Sequence, residues 1–328
     1  MKTPLRIGIT TGDADGIGFE VTAKALAKLK PRSGVTFFLW RSPKASKRHL
    51  ALIDRSFKRI TVNSWPDALK VAPSSQKEII DISSNLPPAI WVEMMAQASH
   101  FGHIDGMATA PLSKTAIKAA GLSDLGHTGI LKRVTKTKDV FMGFIGDHFN
   151  VLLATGHLPV GEVTAALTES KLERAILAAD LLRSMLDKKR ATQPLALLGL
   201  NPHAGEEGMI GTVEMRVHDG VLKSMRTRKI EIEGPLVPDA AFAPKLWKRY
   251  SVYVANYHDQ GLIPFKMIHG QESGIHVTLG LPFVRTSVDH GTAKDIFGTN
   301  KADYRSMLLA LEWAVKLCRA STDLSIQK

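Results

Sequence analysis

Short apolar runs rich in branched residues alternate along the chain with longer stretches of helical period. Residues 5–9, 35–40, 104–108, 151–154, 195–200 and 252–255 read as buried strands. Residues 21–29, 89–98, 172–186 and 302–317 read as helices. This alternation predicts an α/β fold with a mostly parallel sheet. In such folds ligands sit beyond the carboxyl ends of strands, and the chain's polar clusters follow its predicted strands. There is no internal repeat, no low-complexity tract and no obvious linker.

Composition narrows the class. With 328 residues the chain has room for about two domains and a sizeable core. Its 44% hydrophobic and 23% charged residues exclude both a disordered chain and a membrane bundle. Cys318 is the one cysteine, so neither an intrachain disulfide nor a cysteine-ligated zinc module is available. The N-terminus lacks the apolar stretch of a secretory signal, and no run of about 18 apolar residues occurs, so a cytoplasmic protein with no membrane partner is expected. The net charge is +12, and residues 1–60 carry 13 Lys and Arg against four acidic residues. No nucleic-acid motif accompanies the charge and aromatics are 6%, so the excess reads as a basic solvated surface and no nucleic-acid partner is expected.

Four stretches carry candidate chemistry. Thr10 to Glu20 joins a strand to a helix with glycines at Gly12, Gly16 and Gly18, a spacing that is neither the Rossmann fingerprint nor a Walker sequence. Its glycines permit tight turns, and the helix start offers free N–H groups to an anion. TAPLSK at 109–114 and Gly126-His127-Thr128 are small-residue turns whose Lys114, His127 and Thr128 suit an anionic group. His157, His203 and His258 each follow a predicted strand and sit close to Gly or Pro. Three neutral imidazoles with open positions suit a catalytic divalent metal, and an all-nitrogen set favours Zn²⁺, Co²⁺ or Ni²⁺ over Mg²⁺. The last stretch, 258–266 followed by 278–293, reads as polar groups on irregular backbone. In it Lys266 and Arg285 suit phosphate or carboxylate, and Asp289 and His290, placed just before a helix, either cap it or line a cofactor site.

Taken in order, TxGDxxGIG, TAPLSK, GHT, TGHLP, GLNPHAGE, YHDQGLIPFK and TLGLPFVRTSVDHGTA resemble the 4-hydroxythreonine-4-phosphate dehydrogenase family of pyridoxal phosphate biosynthesis, from about residue 6 to about residue 318. The resemblance implies two α/β/α domains around a cleft, like those of isocitrate and isopropylmalate dehydrogenases, without a Rossmann fingerprint. The domains are placed at residues 1–130 with 290–328, and at 131–289, the latter carrying the metal ligands and the dimer interface. A homodimer with active sites at the subunit interface is implied. So is a divalent metal (Zn, Co or Mg) on His157, His203 and His258. Substrate contacts fall on His127, Thr128, Lys266, His276 and Arg285, and NAD or NADP lies near Asp289, His290 and Gly291. The implied reaction is oxidation of 4-phosphooxy-L-threonine at C3, then decarboxylation to 3-amino-2-oxopropyl phosphate, with Asp259 and Lys266 as candidates for the general base.

The chain departs from the family pattern at several positions. Ala14 and Phe19 replace prolines, Asp15 replaces alanine, Gly129 replaces glutamate, and His276 replaces an asparagine that contacts substrate. The last change makes 4-phospho-D-threonate or 4-phospho-D-erythronate an alternative substrate. Two rivals lie outside the family: a three-histidine metallohydrolase that needs no nicotinamide, and a basic nucleic-acid-binding module.

Overall fold

The computed structural model describes residues 4–270 and 273–320. The chain divides into two compact units. One runs through residue 138 and resumes at 281, and the other takes residues 139–280. The boundaries expected at 130 and 289 fall inside helix His127–Thr135 and just after strand Val284–Ser287. Of the first domain's expected tail, 321–328 lies outside the described residues.

Unit one is built on β1 (Leu5–Thr10), β2 (Val35–Arg41), β3 (Lys58–Val62), β4 (Glu78–Ser83), β5 (Gly106–Thr109) and, after the excursion into unit two, β12 (Val284–Ser287). Their order is β3-β4-β2-β1-β5-β12, and every pairing is parallel. Both faces of such a sheet are covered, which is why β1 and β2 read as continuous apolar runs. On one face Ile7 and Ile9 pack with Val21 and Leu26 of helix Gly18–Lys28 and with Met307, Leu311 and Ala314 of helix Arg305–Ala320. Helix Pro88–His100 also packs on β1 and β5 and buries Trp91, Val92 and Met95.

Unit two contains β6 (Phe141–Gly146), β7 (Val151–Leu153), β8 (Leu195–Leu198), β9 (Ile232–Leu236), β10 (Tyr253–Ala255) and β11 (Gly274–Leu279). Their order is β11-β6-β7-β10-β8-β9. β6 runs antiparallel to both β11 and β7, and the remaining pairs are parallel. The expectation of a mostly parallel sheet therefore meets an antiparallel segment here. The core is aromatic: Phe149 lies within 6 Å, centroid to centroid, of Tyr253, Phe265 and Phe242.

The four expected helices and six expected strands all occur, with ends shifted by a few residues. Six further strands were not anticipated. One reading is corrected: 258–266 is not irregular but forms most of helix His258–His269, and β11 and β12 occupy 274–287. Gly261 and Pro264 resemble breaks in the sequence. A Cβ at Gly261 would lie 2.6 Å from Val151 Cγ1, so glycine lets this helix press onto β7.

The turn after β1 depends on Gly12. Its φ is +68°, and a Cβ there would lie 1.9 Å from Pro111 O, so only glycine allows residues 11–13 to run against 110–113. Gly12→Ala is expected to cost about 3 kcal/mol from left-handed strain and overpacking. Urea unfolding checks this, and an unchanged midpoint would contradict it.

Candidate functional site

In unit two the parallel neighbours β7, β10 and β8 end side by side, and each is followed by one of the three histidines. One buried side chain ties the ends together. Asn256, 0% exposed, donates from Nδ2 to Leu198 O (2.8 Å) and from its backbone N–H to Gln260 Oε1 (2.7 Å). Gln260 Nε2 donates to Gly199 O (2.7 Å), and Thr155 donates through N–H and Oγ1 to Asn256 O (3.1 and 2.7 Å). These bonds satisfy backbone groups that leave the sheet without ladder partners.

The His157 and His258 rings lie with centroids 5.0 Å apart. Asp259 Oδ1 is 2.7 Å from His258 Nδ1, an arrangement that fixes the tautomer and leaves Nε2 to face a ligand. His203 is held differently. Residues His203 to Glu207 all have positive φ, so the chain makes a left-handed turn after β8. Glu214 supports that turn by accepting from Leu200 N–H and Asn201 N–H (2.8 Å each) and from Asn201 Nδ2 (2.9 Å). Burial works to raise the Glu214 carboxyl, but the Asn201 and Leu200 donors outweigh it and hold it below its usual range. The His203 side chain is 63% exposed, with Nδ1 3.3 Å from Glu206 Oε2. Among the described residues no group of three or more His, Cys, Asp and Glu is placed to hold a metal. One chain thus brings His157 and His258, two of the three expected imidazoles, close together.

Lys266, seven residues after Asp259 on the same helix, shares its face about two turns away. His276 is buried on β11 with its ring 5.2 Å from that of Phe144.

Unit one gathers the other candidates. Arg285 on β12 is 2% exposed and donates through Nη2 and Nε to Thr109 Oγ1 at the end of β5 (2.6 and 3.2 Å). Burial pushes its guanidinium down to about 9. His127 opens helix 127–135, with Thr128 next to it, and its Nε2 is sealed from solvent without a hydrogen-bond partner. Burial first, and then the Arg285 charge, hold the His127 imidazole well below its ordinary 6.5. A buried cation beside an unsatisfied imidazole nitrogen suits an oxyanion.

Asp289, His290 and Gly291 precede the short 3-10 turn Lys294–Ile296, which no side chain caps, and the α-helix expected from residue 302 begins at Arg305. Asp289 nevertheless reaches that helix, accepting at Oδ1 from Ser306 Oγ (3.0 Å). His290 Nδ1 lies 3.0 Å from Gly291 O, and its Nε2 is buried without a partner. The same segment continues into the glycine turn: Ile17 N–H donates to Thr292 O (3.0 Å), and Lys294 Nζ lies 2.8 Å from Asp15 Oδ2 and 3.3 Å from Asp13 Oδ2.

The family model for the pyridoxal phosphate biosynthetic protein PdxA matches residues 42–314. The chain belongs to that family. It is 36% identical to a 4-hydroxythreonine-4-phosphate dehydrogenase of Pseudomonas putida, over 96% of this chain and 98% of the relative. It is 31% identical to a D-threonate 4-phosphate dehydrogenase of Pectobacterium atrosepticum, over 95% and 98%. A solved 4-hydroxythreonine-4-phosphate dehydrogenase from Burkholderia phymatum superposes with a TM-score of 0.78 at 30% identity, covering 96% of this chain and 99% of that one. A β-decarboxylating dehydrogenase from Thermococcus kodakarensis, 13% identical with a TM-score of 0.50 over 95% and 83%, shares the fold.

Several residues that build the site carry no pattern in the sequence that marks them. Asn256 follows β10, Gln260 lies in the first turn of helix His258–His269, Glu214 opens the helical turn Glu214–His218 and Thr109 ends β5, and several of their bonds join residues well apart in sequence: Asn256 to Leu198, Gln260 to Gly199 and Arg285 to Thr109. Asp13 belongs with them. It is 3% exposed, accepts at Oδ1 from Ser113 N–H (3.0 Å) and donates its own N–H to Pro111 O (3.2 Å). A buried acid inside a glycine turn is the one signal that pointed to it. Two features here are of the kind that suit a nicotinamide dinucleotide: a buried His290 Nε2 without a partner, and a start of helix 18–28 that no side chain caps.

Because the folded His127 imidazole titrates below 6.5, the unfolded chain binds a proton that the native state refuses as pH falls through that value. Burial lowers His218 and His269 in the same direction. Stability is therefore expected to be full above about pH 6.5 and to fall below it, by up to ~1.4 kcal/mol per pH unit for each such group. Urea unfolding from pH 7.5 to 5 should show the decline, and His127→Gln should flatten it. An identical slope in the variant would remove His127 from the account.

Proposed function

We propose that this protein is an NAD(P)- and divalent-metal-dependent dehydrogenase of 4-phosphooxy-L-threonine that yields 3-amino-2-oxopropyl phosphate. The observation that carries the reading, beside family membership, is the edge where β7, β10 and β8 end in His157, His258 and His203 on a common hydrogen-bonded frame. Arg285, His127 and Thr128 take an anionic group of the substrate. Asp259 and Lys266 form the face to which the proton of the C3 hydroxyl passes, and Asp259 also holds His258 in register. Asp289, His290 and Gly291 face the dinucleotide. A nicotinamide held beside Asp289, His290 and Gly291 would supply the hydride acceptor for C3, whose hydroxyl gives its proton to the Asp259 and Lys266 face, leaving a β-keto acid. The bond to the carboxylate then breaks, CO₂ departs as its electron pair moves towards the new carbonyl, and a proton returned to C2 from the Asp259 and Lys266 face leaves the ketone. A bound divalent cation supplies a lowered alcohol pKa and a sink for that electron pair.

The metal set also suggests the assembly. One chain brings together two imidazoles and presents His203 exposed on a left-handed turn. A homodimer in which His203 of a second copy completes the set supplies the missing nitrogen. A second reading rests on His276, buried beside Phe144 where the family uses asparagine, and on the relative named for D-threonate 4-phosphate. In it the substrate lacks the amine and is 4-phospho-D-threonate or 4-phospho-D-erythronate.

The test is NADH or NADPH formation with Zn²⁺, Co²⁺ or Mg²⁺ and each of the three substrates. Preferential turnover of 4-phosphooxy-L-threonine supports the first reading, and preference for either sugar-acid phosphate selects the second. His203→Ala should lower metal affinity and turnover on the order of a hundredfold or more while the circular dichroism spectrum stays unchanged. Full activity in a metal-free His203→Ala protein, or a competent monomer by light scattering, would overturn the metal and dimer assignments.

A further inference from the structure

A cavity of about 380 Å³ opens in unit one beyond the carboxyl ends of β1 and β2, and none of the candidate residues named so far for substrate or metal lines it. Its volume is in the range of about 300–1,000 Å³ that small-molecule sites occupy. Its position is where parallel sheets receive ligands. Its walls include an aromatic and a cationic surface, and the two carboxylates that also line it, Glu20 and Asp13, are paired with Lys24 (2.7 Å) and Lys294 (3.3 Å). Phe19, Trp91 and Phe297 give apolar aromatic surface, Trp91 almost fully buried at 1% and Phe297 half exposed at 50%. Trp91 Nε1 is sealed from solvent without an acceptor. Phe19, one of the departures from the family pattern, lies edge-on to His49 at 6.2 Å, and His49 Nε2 is 3.0 Å from Asn300 Oδ1, so this wall is held rigidly.

The second kind of wall is cationic. Lys44 and Arg48 line the same cavity, are exposed, and make no ion pair among the described residues. They belong to the basic excess of residues 1–60, for which the substrate and metal chemistry has no use. A flat apolar surface next to two free cations suits a heteroaromatic base carrying a phosphate. The cavity also adjoins the expected cofactor segment, because Asp13 and Gly16 line it and neighbouring Ile17 donates to Thr292 O.

We infer that this cavity receives the adenosine end of the dinucleotide, with Phe19 against the base and Lys44 and Arg48 on a 2′-phosphate, so that the enzyme prefers NADP to NAD. The inference rests on the dehydrogenase reading. It assigns specificity to side chains after β2 rather than to a Rossmann fingerprint, which the chain lacks.

Calorimetric titration of the full-length protein with 2′,5′-ADP, 5′-AMP, NADP⁺ and NAD⁺ tests it without turnover. The wild type should bind 2′,5′-ADP and NADP⁺ about tenfold or more tightly than 5′-AMP and NAD⁺ respectively. Lys44→Ala/Arg48→Ala should erase that difference, and Phe19→Ala should weaken all four ligands together. Failure to bind 2′,5′-ADP, or a preference that survives the double variant, overturns the inference. A Phe19→Ala protein that binds all four as the wild type does overturns the placement of the base. A protein that binds 2′,5′-ADP as described but oxidises none of the phosphorylated acids overturns the substrate reading alone. One that oxidises them with cofactor affinities insensitive to these residues overturns this inference alone.

Discussion

The chemistry of unit two depends on one buried side-chain amide. Asn256 sits where three parallel strands run out of ladder partners. With Gln260 and Thr155 it bonds the first groups beyond each strand end. Its Nδ2 donates to Leu198 O and its Oδ1 lies 2.8 Å from His218 Nε2, and breaking either bond leaves a polar group unsatisfied away from water. The resulting rigidity passes directly to His157, two residues after Thr155, and to His258, two residues after Asn256. His258 is further held as the first residue of helix His258–His269.

Asp13 does the same for unit one. Its carboxylate and its N–H both engage the 111–113 segment, while Lys294 approaches from the segment that follows His290. Gly12 removes the one atom that would keep these segments apart. The glycine turn therefore acts less as a phosphate loop than as a clasp joining the loop after β5 to the segment after β12. Arg285 and Thr109 lie on those same two strands.

Strain and desolvation concentrate at the same places. Five consecutive residues in the left-handed region cost roughly 1–2 kcal/mol each for non-glycine residues, and the three hydrogen bonds taken by Glu214 help to offset that cost. Burying Arg285 beside a threonine hydroxyl and a neutral imidazole opposes its charge, and that desolvation lowers its guanidinium. Gly129, where the family has glutamate, fits the same local logic. A Cβ there would come 3.1 Å from Asp124 Cβ, and Asp124 is engaged by Arg133 at 2.8 Å.

Hydrophobic period was enough to reveal the alternating α/β class and the strands whose side chains are apolar on both faces. It did not reveal β12, because Arg285, Thr286 and Ser287 are polar and become strand residues only when Thr109 and helix 305–320 satisfy them. It misread 258–266, because glycine and proline look like punctuation until β7 is seen to require a residue without a side chain. The three histidines were legible as strand-end residues. Their grouping was not, since contact between His157 and His258 depends on β7 and β10 being neighbours, and His203 depends on a backbone turn that no side-chain pattern announces. The sequence by itself determined the fold class, the family and the kinds of chemical group present. Which of those groups meet, and which polar residues hold them, was decided by tertiary structure, because strand order and hydrogen bonds between distant residues leave no periodic trace in a single chain.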